Sequence, residues 1–171
     1  MTTGLRNTYL TCVLALLPAV SFAQNGPTVR WNNIAGVITA PGVDNPVAGI
    51  SSGAGPWTAT RGKAQIDLSN GSAFFEVEGL VLNGGAATGT AGSVANVAGT
   101  FICNGGTPSQ TVRDTPAVPL SATGDALFLG TLGGMPATCL NPLFLIRVVP
   151  NTGSPTRWIA TGVVRQTDAA N

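Results

Sequence analysis

The stretch Gly62-Lys-Ala-Gln-Ile-Asp-Leu68, Ser69-Asn-Gly-Ser72, Ala73-Phe-Phe-Glu-Val-Glu-Gly-Leu-Val-Leu82 decides the fold class of this chain. Ala64, Ile66 and Leu68 alternate with Lys63, Gln65 and Asp67, the period-two pattern of a strand buried on one side. Asn70-Gly71 is a favoured pair for a two-residue type I′ turn, which needs positive φ at both positions. A turn of that kind pairs Ser69 with Ser72, Leu68 with Ala73, Ile66 with Phe75 and Ala64 with Val77. All of the apolar pairs then share a face, so turn chemistry and hydrophobic pattern agree on one register. The opposite face carries Lys63 against Glu78 and Gln65 against Glu76. Phe74 lands on that polar face, opposite Asp67. It is therefore either covered by another segment or part of a contact surface.

Upstream of the hairpin the chain opens with a targeting pattern. Arg6 is a short basic region, residues 10–20 are an apolar run, and Ser21-Phe-Ala23 is a small-x-small cleavage site. Cleavage is expected after Ala23, which makes residues 1–23 a signal peptide and 24–171 a single mature domain, secreted or periplasmic. The apolar run is too short to span a bilayer, so no membrane insertion is expected once it is removed.

Seven of the eight Lys and Arg residues lie beyond Arg6 and face seven Asp and Glu. A chain so balanced lacks the basic surface that phosphate binding needs, which argues against nucleic acid as a partner. The two mature cysteines, Cys103 and Cys139, read as one disulfide in an oxidising compartment.

Further strands are expected over residues 34–39, 94–103, 125–132, 143–149 and 157–164, with short extended pieces at 57–59, 111–113 and 117–120. Residues 40–56 are rich in Pro, Gly and Ser and read as a long loop. The residues before 34 read as polar, with Trp31 among them. Residues 143–149 are apolar except for Arg147, as in a strand buried on both faces. No apolar stripe of helical period and length follows the targeting segment. The expected fold is all-β: a single antiparallel β-sandwich, Ig-like in a loose sense, with a closed barrel as the competing architecture.

Several segments, in order, resemble a group of small, uncharacterised secreted bacterial proteins. They are Gly55-Pro-Trp57, Gly62–Leu68, Val77-Glu-Gly-Leu-Val-Leu82, Cys103, Pro119-Leu-Ser-Ala-Thr-Gly-Asp-Ala126, Pro136-Ala-Thr-Cys-Leu-Asn-Pro142 and Trp158-Ile-Ala-Thr-Gly162. The resemblance covers most of the mature chain. It implies one extracytoplasmic β-domain with one disulfide, and it implies no catalytic residues.

The chain has no histidine, which removes Ser-His and Cys-His nucleophile pairs. Two cysteines alone make a poor zinc site. No catalytic, metal or cofactor residues are expected. Glu76 and Glu78, two apart on one strand and roughly 7 Å from one another, have the separation of a glycosidase acid and base. The stronger reading is a solvated strand face of alternating charges, each with a polar cross-strand neighbour. Asp44, Asp114 or Asp125 could hold calcium together with loop carbonyls, but no Asp-rich ligand loop is present. Trp31, Trp57 and Trp158 lie in or beside turn-rich segments. Each either plugs the core or offers a flat face to a sugar or protein. The expected function is a non-catalytic binding or structural role at the cell envelope, with envelope polysaccharide or another secreted protein as partner. Trp57, Trp31 and Phe74 are its candidate contact residues. A carbohydrate-binding module built on exposed Trp57 and Trp31 is the second reading, and a glycosidase using Glu76 and Glu78 the third.

Overall fold

The structure is a computed structural model that describes residues 27–168, apart from 41, 137 and 152; the expected signal peptide, residues 1–23, and its expected cleavage site lie outside the described residues. Among the described residues there is no helix, and the fold is all-β. The strands are β1 (Thr28–Gly36), β2 (Trp57–Thr58), β3 (Arg61–Asp67), β4 (Ser72–Glu78), β5 (Val81–Leu82), β6 (Asn96–Cys103), β7 (Thr111–Asp114), β8 (Val118–Pro119), β9 (Ala126–Thr131), β10 (Leu143–Val149) and β11 (Trp158–Asp168).

Nine of these strands form one antiparallel sheet in the order β7-β6-β10-β11-β1-β3-β4-β9, with β8 on the same side of β6 as β7. The remaining two, β2 and β5, pair with each other. The expectation of two facing sheets therefore gives way to a single curled one. The reason is visible in the core. Phe75 on β4 and Phe144 on β10 are separated in the sheet by β3, β1 and β11, yet their rings lie 5.7 Å apart. Phe144 also meets Trp31 at 5.7 Å and Phe101 at 4.9 Å, while Phe75 stacks on Phe128 at 6.0 Å. Curling wraps one concave face around this cluster, so a single sheet buries what a sandwich would bury between two.

Two glycines let the rings approach the sheet. A Cβ on Gly99 would stand 2.7 Å from Phe75 and 2.9 Å from Phe144, and one on Gly162 would stand 2.6 Å from Trp31.

The hairpin exists, but its register differs by two residues from the sequence reading. Ile66 pairs with Ala73, Ala64 with Phe75, Lys63 with Glu76 and Arg61 with Glu78. The connection is four residues long, and only Gly71 in it takes positive φ, at 73°. The Asp67 carboxylate explains the longer loop. It accepts from the Ser69 N–H at 2.8 Å, the Ser69 hydroxyl at 2.6 Å and the Asn70 amide at 3.2 Å. Such a local turn competes with a type I′ loop for the same backbone groups. Leu132 N–H then closes on Gly71 O at 2.8 Å.

The first strand begins earlier than expected, at Thr28. Val29 and Trp31 point into the core, while Arg30 bonds Gln65 and Asn32 bonds Gln166 on the outside. β10 runs over Leu143–Val149 as expected, with Phe144, Leu145 and Ile146 fully enclosed. The loop after β1 closes over the start of β11 through Gly53 N–H to Trp158 O and Trp158 N–H to Ser51 O. Cys103, the last residue of β6, is joined to Cys139 across a sequence separation of 36. That bridge ties the β9–β10 loop to the sheet.

Candidate functional site

The outer face of β3, β4 and β9 brings the chemistry-bearing residues together. Alternation along the hairpin sends Lys63, Phe74, Glu76 and Glu78 outward because Ala64, Phe75 and Val77 are drawn inward. Lys63 Nζ sits 3.1 Å from Glu76 Oε1 and 5.4 Å from the centre of the Phe74 ring. Arg61, rather than Lys63, is the partner of Glu78, at 2.6 Å. Each glutamate thus faces its own cation, a consequence of the two-residue change in register.

Phe74 is half-buried and lies across from Leu129, and Glu76 lies across from Leu127. Leu127 is 60% exposed and Leu129 77% exposed. Two large apolar side chains therefore stand in water beside Phe74, on an edge strand. The Leu132-to-Gly71 hydrogen bond sets the alternation along this pair. It makes Ala126, Phe128 and Gly130 the residues that bond β4. The backbone N–H and C=O groups of Leu127 and Leu129 point the other way, to an edge where β8 lies nearby without forming a ladder.

A groove of about 560 Å³ runs along this edge between Glu76, Glu78, Pro119, Asp125 and Leu127. Asp125 closes its end. The carboxylate accepts from the Thr123 hydroxyl at 2.7 Å, the Gly79 N–H at 3.1 Å and the Ser121 hydroxyl at 3.0 Å. These bonds, the Thr123 hydroxyl foremost, hold its pKa below the ordinary 3.8.

The other candidate residues are placed elsewhere. Trp31 is 2% exposed, Trp57 5% and Trp158 4%. The exposed aromatic platform expected at Trp57 and Trp31 is absent, because both rings are drawn into apolar packing. Trp31 sits among Phe101 and Phe144, and the Trp57 backbone docks on Gly36, where a Cβ would meet it at 2.2 Å. Asp44 accepts from the Ser52 N–H, and Asp114 accepts from the Thr100 hydroxyl and the Arg147 guanidinium, so each is engaged with other partners than Asp125. No group of three potential metal ligands occurs among the described residues.

Leu127 and Leu129 were readable in principle. Residues 126–129 are apolar at every position, so one of the two faces of that strand had to carry its leucines outward. No protein-family model, curated protein or solved structure matches this chain.

Proposed function

We propose that this protein is a non-catalytic domain that works outside the cytoplasm as a binding component of the cell envelope, and that it binds through the β4–β9 face. The observation that carries this reading is the pair Leu127 and Leu129, exposed side by side on an edge strand whose outward backbone groups form no ladder. Edge strands of soluble proteins are ordinarily blunted by lysine, proline or a bulge. An apolar edge left open supports strand addition, in which an extended segment of a partner pairs with the backbone and seats alternate side chains on the flanking face. Phe74 and the Lys63–Glu76 pair supply that flanking face. The Cys103–Cys139 bridge supports an oxidising location, and the targeting pattern of residues 1–23 points the same way.

The partner we infer is an extended segment of another secreted protein. The test is co-sedimentation of the oxidised protein with separated envelope fractions, before and after protease treatment of each fraction. Selective pelleting with one fraction is expected, lost on protease treatment and lost in Leu127→Lys/Leu129→Lys. Protease-resistant pelleting would make the partner a polysaccharide. Pelleting unchanged in the double variant would remove this face from the account.

A further inference from the structure

A second cleft, sharing no lining residue with the β9 groove, lies where the segment before β2 crosses the sheet. It encloses about 260 Å³. Leu82, Val94, Val148 and Ile159 give it apolar walls, and Trp57 forms one side. Trp57 is held in place by its own N–H to Val37 O at 2.8 Å and by the β2–β5 pairing.

The indole N–H of Trp57 is a polar donor open at this cleft. Trp158, equally buried, donates its indole N–H to Asn45 O at 3.0 Å. Among the described residues Trp57 makes no such bond. No sealed side-chain nitrogen or oxygen lacks a partner among the described residues, so this nitrogen is open to solvent. The side chain is otherwise 95% enclosed, and Gly53, which lines the cleft, is the residue whose added Cβ would lie 3.6 Å from Nε1. A donor kept open at an apolar cleft is the usual arrangement of a small-molecule site: apolar walls with a few fixed polar groups.

Arg157 adds charge at the same place. Its Nη1 donates to Ser52 O at 3.0 Å, which sets the guanidinium beside the Ser52-Gly53 stretch that the Trp57 nitrogen faces. Among the described residues it forms no ion pair within 4 Å, although the Asp44 carboxylate, which accepts from the Ser52 N–H, lies near enough to interact with its charge; its remaining guanidinium donors are open to a further anion.

We infer that this cleft binds a small apolar carboxylate, its hydrocarbon part against Leu82, Val94, Val148 and Ile159 and its carboxylate at the Trp57 N–H and the Arg157 guanidinium. The volume lies just under the roughly 300–1,000 Å³ of sites for drug-sized ligands, so the ligand is the size of phenylacetate or hexanoate. Arginine suits a carboxylate because its planar fork matches the two oxygens.

The experiment is a titration of the oxidised protein with phenylacetate, and separately hexanoate, followed by the Trp57 indole N–H resonance in ¹H–¹⁵N spectra. The resonance is assigned as the one missing in Trp57→Phe. A saturable shift of that resonance is expected with at least one of the acids, with the Trp158 resonance unmoved. Arg157→Gln, at an exposed rim position, should weaken binding about tenfold, the loss expected for one charge-assisted hydrogen bond. The neutral 2-phenylethanol should bind wild type and Arg157→Gln alike. An indole resonance that neither acid moves, up to their solubility limits, overturns the inference. Equal affinity in wild type and Arg157→Gln overturns the carboxylate assignment.

Discussion

At the scale of single residues, Asp67 and Gly71 set the geometry of the hairpin. Asp67 is nearly enclosed, and the Ser69 hydroxyl, followed by the Ser69 and Asn70 backbone groups, draws its pKa below 3.8 against the opposing effect of burial. A carboxyl that binds its proton more weakly when folded stabilises the fold above its unfolded pKa. That contribution fades as the pH falls through the lower folded value. Asp67→Ala should therefore cost about 2 kcal/mol at neutral pH, and the gap from wild type should shrink below pH 3.8. Urea unfolding at neutral and acidic pH measures both. Gly71 is fixed by a different cause: φ is +73°, and a Cβ would stand 1.9 Å from Leu132 O. Gly71→Ala should cost about 3 kcal/mol through strain and displacement of Leu132. Asn70→Ala, at a position without positive φ, should cost about 1 kcal/mol by losing its bonds to Ser72 and Asp67. Equal losses at the two positions would point back to the shorter turn.

At the scale of elements, the alternating pattern located most strands and could not fix how they pair. Shifting β3 against β4 by two residues leaves Ala64, Ile66, Ala73, Phe75 and Val77 on the buried face, so the hydrophobic pattern is blind to that change. Only the number of residues in the turn distinguishes the registers, and that number depends on a carboxylate contact and on Leu132, 61 positions beyond Gly71. The early half of β1 escaped notice for another reason. Its outward residues Arg30 and Asn32 are polar, and only Val29 and Trp31 mark the inward face. In β9 both faces carry apolar residues, and one face ends in water. Leu127→Lys/Leu129→Lys should accordingly shift unfolding free energy by no more than about 0.5 kcal/mol, so any loss of binding in that variant reports on the surface and not on the fold.

At the scale of the whole molecule, the aromatic cluster and the disulfide hold distant parts of the chain together. Gly99→Ala would press a methyl group into Phe75 and Phe144 at once, and should cost about 1–3 kcal/mol by overpacking; a lowered urea midpoint with an unchanged slope is the expected signature. The Cys103–Cys139 bridge closes a ring spanning 36 positions, for which loop entropy gives about 4 kcal/mol. Unfolding the protein with and without reductant should show a difference of that order, and the absence of any difference would mean that the sheet holds the β9–β10 loop without the bridge.

The sequence by itself determined what depends on near neighbours. Period-two alternation marks β3, β4 and β10, because side chains on an extended backbone leave on opposite sides. The pair Cys103 and Cys139, read from the sequence as one disulfide, is the pair that is joined. The tertiary structure alone decided what depends on residues distant in the chain. It placed the first strand between β3 and the last strand, curled nine strands into one sheet, drew Trp31 and Trp57 inward and left Leu129 outside. It also left one buried tryptophan with an acceptor and another facing an open cleft. The physical reason is that local pattern follows from backbone geometry, whereas pairing order, register and side-chain partners are settled by which distant surfaces bury each other, and no short window of sequence contains both of them.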